Sequence, residues 1–446
     1  MLLIVLLVAG GASRSDVWGQ VLVRLTAFVA LAVVFLFADR RMIHRSGAVP
    51  WLLGAVVILP LIQLLPLPFE LWRTLPGRDA VLQTLPDYAQ GGLWRPLSLS
   101  PGDTVNAAFS LVVPVAVFAL LSWLRPTERR LLPFALLTLV VLSMTIGLLQ
   151  FTGLNVEQRL INYSTDIRGT FANRNHFALF LSLGCLVTPY AALSDSRSRR
   201  WLGIAAVGLL LLLALTVLAS GSRMGLVLTV IAIGTGTLAM RERLARMARR
   251  RLRPGQIALI AGVALVAGSV LLASVYLNRA TSIQRLSGAD VGQDMRVRAL
   301  PTVMAMVRTY MPVGSGLGSF DPVFRMHEPF ELLKPTYFNR VHDDILEVAL
   351  DAGVPGILVM VAAALWWARA SWRVWRRHTA TRPTDSIALA RIGSAAIALT
   401  VLASIVDYPA RTPIIMAVVV VAAAMLAWGT EDGEATARDG RRPELA

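Results

Sequence analysis

Arginine, asparagine and histidine side chains gather in one short segment between two apolar runs, residues 168–176, which reads RGTFANRNH. Arginine presents a planar fork of donors that matches phosphate oxygens, and asparagine offers both a donor and an acceptor. Such a set suits a ligand that carries phosphate and hydroxyl groups. A simpler explanation covers one member, because asparagine is a favoured helix N-cap. The candidate substrate-binding residues here are Arg168, Asn173, Arg174, Asn175 and His176.

Two further arginines stand where an anion can reach them. Arg223 follows the tight turn 220–222 between two apolar runs, and Arg296 lies in the long polar segment 281–347. The alternative for Arg223 is a guanidinium that snorkels to the membrane interface without binding a ligand. Single arginines of the long segment can also be solvated or paired with its acidic residues. Those acidic residues are Asp290, Asp294, Glu328 and Glu331.

The segment 341–347, VHDDILE, opens another apolar run. Acidic residues in a first helical turn complement the helix dipole, which accounts for Asp343 and Asp344 without any further function. His342 is the candidate general base, because imidazole changes its charge near neutral pH and can accept a proton. Glu347 is expected to face the bundle interior, since a carboxylate that faces lipid is costly.

Composition places these groups in a polytopic membrane protein. The 446 residues are 56% hydrophobic, with a mean hydropathy of +0.63, and apolar runs of about 20 residues recur, the length that crosses a bilayer as a helix. The formal charge of +16 is carried almost wholly by arginine, since Lys334 is the only lysine. Basic residues of membrane proteins collect in cytoplasmic loops, so this charge does not indicate a nucleic-acid partner. The single cysteine, Cys185, excludes an intramolecular disulfide.

The apolar runs predict about twelve transmembrane helices. They fall near 1–12, 17–38, 48–66, 104–124, 131–152, 174–193, 201–220, 223–240, 256–278, 342–368, 386–406 and 412–429. Arginine clusters follow the even-numbered runs, so the positive-inside rule places both termini in the cytoplasm. The odd-numbered loops, which hold the candidate residues, are then on the outer face.

The predicted fold class is an all-α transmembrane helix bundle with a large outer-face loop subdomain. Residues 1–278 would form helices 1–9 with short outer loops, 279–341 a large periplasmic loop, 342–429 helices 10–12, and 430–446 a cytoplasmic tail. A loop so long is uncommon unless it is functional, and we expect it to fold as a cap over a site. Its glycines 314, 316 and 318 are interpreted as a flexible hinge, because no strand precedes them as a dinucleotide loop requires.

Four pieces of the chain, between about Trp94 and Gly429, resemble the O-antigen ligase and polymerase superfamily of bacterial membrane glycosyltransferases. The last piece resembles the ligase pattern of a histidine with a polar neighbour, nine further residues, and two glycines three apart. The pieces are Arg168 to Asn175, Ser220 to Arg223, Arg296 followed by Pro312 and glycines 314, 316 and 318, and His342-Asp343 followed by Gly353-Val-Pro-Gly356.

The resemblance implies a glycosyltransferase of the C structural type that needs no metal or other cofactor. It would lie in the bacterial cytoplasmic membrane with its active site facing the periplasm. It would move saccharide from an undecaprenyl-diphosphate-linked oligosaccharide to a glycan or lipid-core acceptor, either as an O-antigen ligase or as a repeat-unit polymerase for O-antigen or exopolysaccharide.

Carried over by position, the resemblance makes Arg223 and Arg296 ligands of the donor diphosphate and His342 the catalytic or acceptor-orienting residue. Asp343, Glu347 and Arg411 complete the predicted substrate-binding set. A transporter of a lipid-linked sugar or an inorganic anion is the alternative function. Matched pairs of broken helices in two halves of the chain would favour a transporter, and the sequence shows no such pair.

Overall fold

The computed structural model describes residues 1–37, 47–84, 93–154, 160–161, 167–194, 200–248, 262, 295–333, 338–377 and 385–439. Helices dominate this part of the chain. The first half contains α1 Leu2–Ala9, α2 Trp18–Phe37, α3 Val49–Gln63, α4 Phe69–Trp72, α5 Asp79–Thr84, α6 Pro101–Ser110, α7 Val112–Ser122 and α8 Leu132–Phe151. The second half contains α9 Arg174–Leu193, α10 Arg200–Ser220, α11 Arg223–Ala239, α12 Arg241–Ala248, α13 Met295–Tyr310, α14 Phe320–His327, α15 Asp344–Arg376, α16 Asp385–Ser404 and α17 Pro413–Asp439. Short strands β1 Pro66–Leu67 and β2 Arg95–Pro96 pair antiparallel, and 3-10 turns cover Arg129–Leu131, Phe330–Leu332 and Pro409–Arg411.

Eight helical segments of the described residues are long and apolar enough to cross a membrane, which confirms the predicted all-α transmembrane bundle. These are α2, α6 with α7, α8 with the turn before it, α9, α10, α15, α16 and α17. The expectation of a span at 1–12 is wrong for the helix found there, because the eight residues of α1 extend only about 12 Å against a core of about 30 Å. The apolar helices α3 and α11 are also shorter than a full span, and the predicted run 256–278 lies outside the described residues.

Helix α9 is the centre of the bundle and packs against α8, α10, α11 and α16. Almost all of its side chains are buried. Close approach depends on small residues at the crossings. A Cβ on Gly236 of α11 would lie 2.5 Å from the carbonyl oxygen of Leu186 on α9, so these two backbones touch as small residues allow in membrane bundles.

The described part of the predicted outer loop is folded. Helices α13 and α14 share an apolar cluster whose members include Val303, Tyr310 and Phe324. This cluster extends to Leu350 of α15. Hydrophobic side chains therefore dock the loop onto the start of α15.

Helix α15 is broken at Gly353, where φ is +57° and ψ is −147°. The glycine-rich segment 314–318 fills the break, and the amide of Gly316 donates to the carbonyl of Asp351 at 2.8 Å. A Cβ on Gly314 would lie 2.6 Å from that same carbonyl oxygen. The interpretation of these glycines as a flexible hinge is wrong, because close packing and backbone hydrogen bonds hold them against the break in α15.

Arginines lie at the C-terminal end of α9 and at the neighbouring ends of α12, α15 and α16. Arg243 of α12 donates to the carbonyl of Leu193 at 2.9 Å and also pairs with Asp385 at the start of α16. Arg377 donates to the carbonyl of Gly429 on α17 at 3.0 Å. The C-terminal end of α9, the start of α16 and the later part of α17 therefore share one arginine-rich end of the bundle.

Candidate active site

A buried carboxylate, Asp407, lies in the turn between α16 and α17, and its side chain is 3% exposed. It accepts hydrogen bonds from the Nδ2 atoms of Asn173 at 3.1 Å and of Asn175 at 2.6 Å. Its Oδ1 atom lies 3.5 Å from Nε2 of His176 and 3.4 Å from Nδ1 of His342. Side chains from two distant segments of the chain thus converge on one carboxylate.

The local sequence explains how the first of these segments is held. Asn173 caps α9, because its Oδ1 accepts the backbone amide of Asn175 at 2.8 Å, and the cap leaves its Nδ2 for Asp407. The Oδ1 of Asn175 accepts a hydrogen bond from Ser222 at 2.9 Å. Ser222 in turn caps α11 by accepting the amide of Gly225 at 3.1 Å. Two helix starts are therefore tied to each other and to the turn.

Among the described residues other than glycine, His342 has a left-handed backbone conformation, with φ at +59°. Such a conformation is uncommon for side chains with a Cβ and marks a position that its surroundings hold in place. The next residue, Asp343, caps α15 by accepting the amides of Ile345 at 2.9 Å and Leu346 at 3.1 Å. The helix start and the left-handed residue together aim the imidazole at Asp407.

The two histidines of the site differ in the exposed fraction of their side chains. Both pack against the ring of Tyr408, with ring centroids 4.9 Å apart for His342 and 5.2 Å apart for His176. The side chain of His342 is 18% exposed and that of His176 is 2% exposed. His342 can therefore meet a ligand that enters from outside, whereas His176 is an internal neighbour of Asp407.

Arg296, from the outer-loop helix α13, reaches the same turn. Its Nη1 donates to the carbonyl of Val406 at 2.8 Å, and its Nη2 lies 3.8 Å from Oδ2 of Asp407. The side chain is 35% exposed, so part of it is accessible at the protein surface. The structure thus brings Arg296 and His342 together on Asp407.

Arg223 is the first residue of α11 and is exposed. Among the described residues, no hydrogen bond or ion pair engages its guanidinium. It adjoins Ser222, which links it to Asp407 through Asn175. Its donors are open to a ligand at the edge of the site.

The remaining arginines of the first motif have different surroundings. Arg168 braces its own segment, because its Nη1 donates to the carbonyl of Ala172 at 2.6 Å and its backbone amide donates to Gln150 at 2.9 Å. Arg174 is the first residue of α9 and is partly buried. The described contacts do not join Arg168 to Asp407.

A second ionic network lies behind the site. Glu347 is fully buried, which confirms that it faces the interior, and its Oε1 lies 2.8 Å from Arg340 and 3.2 Å from Arg411. Arg411 also pairs with Asp344 at 3.0 Å. The backbone amide of Val341 donates to the second oxygen of Glu347 at 3.1 Å. These polar atoms therefore have protein partners, and the network ties the start of α15 to the turn that carries Arg411.

Electrostatics keep the turn charged. Burial raises the pKa of Asp407, but the contacts with His176 and His342 outweigh it and hold the pKa well below its usual range. Burial, with the nearby Asp407 charge, raises the pKa of Tyr408 to about 12. The site therefore presents an ionised carboxylate beside a protonated phenol at neutral pH.

Sequence reasoning missed the residue at the centre. Asp407 lies in the short outer loop between the predicted runs 386–406 and 412–429, and the candidate set contains neither Asp407 nor Tyr408. The available signal was an acidic residue in a brief turn between two apolar runs. A carboxylate so close to the hydrocarbon is costly unless it is partnered, which marks it as a functional candidate.

The chain matches the family described as O-Antigen ligase over residues 208–361. The matched segment contains Arg223, Arg296 and His342, and the match confirms the resemblance that the motifs gave. No curated protein sequence matches the chain.

Proposed function

We propose that this chain belongs to the O-antigen ligase superfamily and that it polymerises or ligates undecaprenyl-diphosphate-linked oligosaccharide on the outer face of the bacterial cytoplasmic membrane. The family match supports a membrane glycosyltransferase of the ligase type. The observation that carries the finer proposal is the meeting of Arg296 and His342 on Asp407.

The distribution of charge supports the outer-face orientation. The site lies at one end of α9, and the arginine-rich surface lies at the other. The 20 residues of α9 extend about 30 Å, the thickness of the hydrocarbon core. The end with His342 also holds arginines, but Arg340 and Arg411 there are paired with Glu347. Further arginines lie at the other end, in the turn before α8 and in α12, and the positive-inside rule then turns the end with His342 outward in this proposal.

The exposed arginines suit the donor diphosphate. Negative charge grows on the diphosphate as its bond to the anomeric carbon breaks. Arg223 and Arg296 have donors that face the outside, and guanidinium groups that bind the leaving group more strongly in the transition state lower the barrier. This explanation requires no metal ion.

The histidine suits the acceptor. A carboxylate beside Nδ1 favours the tautomer with the proton on that atom, which leaves Nε2 of His342 free to accept a proton. The acceptor hydroxyl gives its proton to Nε2 while its oxygen bonds to the anomeric carbon, and the bond to the diphosphate oxygen breaks. Asp407 then stabilises the imidazolium ion.

Several predicted substrate-binding residues receive a different role in this proposal. Their polar atoms contact protein groups, so they position the reacting side chains. Asn173, Asn175 and His176 hold Asp407, and Glu347 and Arg411 hold the start of α15. Arg168 braces its own segment, Asp343 caps α15, and Arg174 stays a candidate for contact with the donor.

The test is transfer by the purified chain supplied with lipid-linked oligosaccharide, either alone or with a lipid-core acceptor, and with chelator present. Arg296→Lys keeps the charge but loses the planar fork, so it should reduce product formation substantially. The matched control is Arg298→Lys, on the same helix, where the guanidinium donates to the carbonyl of Glu331. Equal activity in both variants would remove Arg296 from diphosphate binding, and complete inhibition by chelator would refute the metal-independent reaction.

The acceptor that yields product distinguishes the two reactions. Longer lipid-linked chains without a lipid core indicate a polymerase, and product only on the lipid core indicates a ligase. Passage of the lipid-linked sugar across proteoliposomes without any new glycosidic bond would instead support the transporter alternative.

A further inference from the structure

A cavity of about 300 Å³ opens at the arginine-rich end of the bundle, far from His342. Its wall comes from the turn before α8, the start of α16 and the later part of α17. The polar part of the wall includes Thr127, Arg129 and Arg130. Helix α8 begins directly after these arginines, so the cavity lies at the level where a membrane helix meets the headgroups.

The charge of the wall favours an anion. The guanidinium of Arg129 lies 4.1 Å above the ring of Trp428, and Arg130 is exposed beside it. The one carboxylate in the wall, Asp385, is paired with Arg243 of α12, so its charge is already compensated. The two arginines therefore give the cavity a positive field.

The lower part of the wall is apolar. Leu389, Met425 and Trp428 line it and are buried in the bundle. An inorganic phosphate ion gains nothing from such a surface. A lipid uses both parts, because its phosphate meets the arginines while its acyl chain covers the apolar side chains.

A buried hydroxyl in the same region has no protein partner among the described residues. Tyr190 of α9 is 0% exposed, and its hydroxyl accepts and donates no hydrogen bond there. Its electrostatic neighbours are Asp385, Arg243 and Arg130. Asp385 and Arg130 line the cavity, whereas Tyr190 does not, so its hydroxyl lies next to the wall and not in it.

We propose that this cavity binds the phosphate headgroup of an anionic phospholipid, with an acyl chain against Leu389, Met425 and Trp428. Basic pockets between transmembrane helices at the arginine-rich side are a recurring form of lipid recognition. Helices α16 and α17, which form two of the walls, are joined at their other ends by the turn that carries Asp407. A lipid bound here holds together the helix pair on which that turn depends.

The experiment follows the thermal unfolding of the full delipidated chain in a neutral detergent. Dioleoyl phosphatidylglycerol should raise the Tm of the wild-type chain saturably, whereas phosphatidylcholine and inorganic phosphate should not. Arg130→Gln should weaken the apparent affinity for phosphatidylglycerol about fivefold, since one basic residue near an anionic headgroup contributes about 1 kcal/mol. Arg369→Gln is the matched control, because Arg369 is exposed on the later part of α15 and does not line the cavity.

A second variant tests the cavity without removing charge. Thr127→Trp keeps both arginines and fills space beside them, and it should abolish the saturable shift. The exposed position of Thr127 makes this change compatible with folding. The proposal is overturned if Arg369→Gln weakens the shift as much as Arg130→Gln, if Thr127→Trp retains it, or if inorganic phosphate alone reproduces it.

Discussion

The Nδ1 atom of His342 lies 3.4 Å from the Oδ1 atom of Asp407, although one residue precedes α15 and the other follows α16. The carboxylate is fixed by two asparagine amides, while the imidazole stands in a left-handed backbone position. An anchored acid beside a partly exposed histidine is the arrangement of an oriented general base. The first two predictions separate the roles of these two residues.

Replacing Asp407 with asparagine keeps the size of the side chain and removes its charge. Without the carboxylate, the imidazole loses the partner that sets its tautomer and stabilises its protonated form. Transfer should fall by on the order of 100- to 10,000-fold, the usual contribution of a general base. The measurement is product formed per minute by purified Asp407→Asn, with its Tm as a check on folding. Near-normal transfer would show that His342 acts without Asp407.

His342→Ala should abolish transfer and leave donor binding intact. A base contributes in the transition state, whereas the diphosphate is bound by Arg223 and Arg296 in this proposal. Binding of the lipid-linked donor can be measured by its ability to raise the Tm of the variant. The control is His327→Ala, since His327 lies in α14 against Tyr310, away from the turn. Loss of donor binding together with transfer would assign His342 to the donor.

Substitutions of Asp343 test whether this residue serves as a helix cap or as a substrate ligand. Its Oδ1 accepts two backbone amides of α15, a task that asparagine performs about as well as aspartate. Asp343→Asn should therefore keep both stability and transfer, whereas Asp343→Ala should cost about 1 kcal/mol of stability. Parallel thermal unfolding and transfer assays measure the two effects. A large loss of transfer in Asp343→Asn at unchanged Tm would restore its predicted role in substrate binding.

The bundle was predictable from composition because long apolar runs have few alternatives in a membrane. Asn173 as a cap and Glu347 as an interior residue also followed from local physics. Asp407 did not, because its importance comes from contacts with residues far away in the chain. The glycines 314 and 316 were misjudged for the same reason, since only the folded chain shows that they fit against the break in α15.

The orientation of the bundle can be tested with a reporter that is active only in the cytoplasm. Fusions after Arg200, Arg250 or Arg377 should be active, and a fusion within residues 314–334 should be inactive. The reason is that arginines mark the cytoplasmic end of the helices. Activity from the fusion within residues 314–334 would place the site in the cytoplasm and overturn the outer-face chemistry.

The last prediction concerns the contact between the glycine-rich segment 314–318 and the break in α15. Gly316 has φ +115°, and a Cβ on it would lie 2.1 Å from the Oγ of Ser98. Gly316→Ala should therefore lower the Tm by both backbone strain and collision. Gly153→Ala is the matched control, because Gly153 has φ +87° and nothing within 4 Å of an added Cβ, so it reports strain alone.

Strain at a left-handed position costs about 1–3 kcal/mol, and the collision with Ser98 adds to it in Gly316→Ala only. Transfer should fall in that variant as well, because the segment shapes the helix that begins beside His342. Ser98→Gly removes the nearest colliding atoms but also the hydrogen bonds of the Ser98 hydroxyl with Thr104 and Ser100. The loss of Tm caused by Gly316→Ala should therefore be smaller in a Ser98→Gly background than in the wild-type background. Equal losses of Tm in Gly316→Ala and Gly153→Ala would show that the close contact with Ser98 adds nothing to the cost of backbone strain.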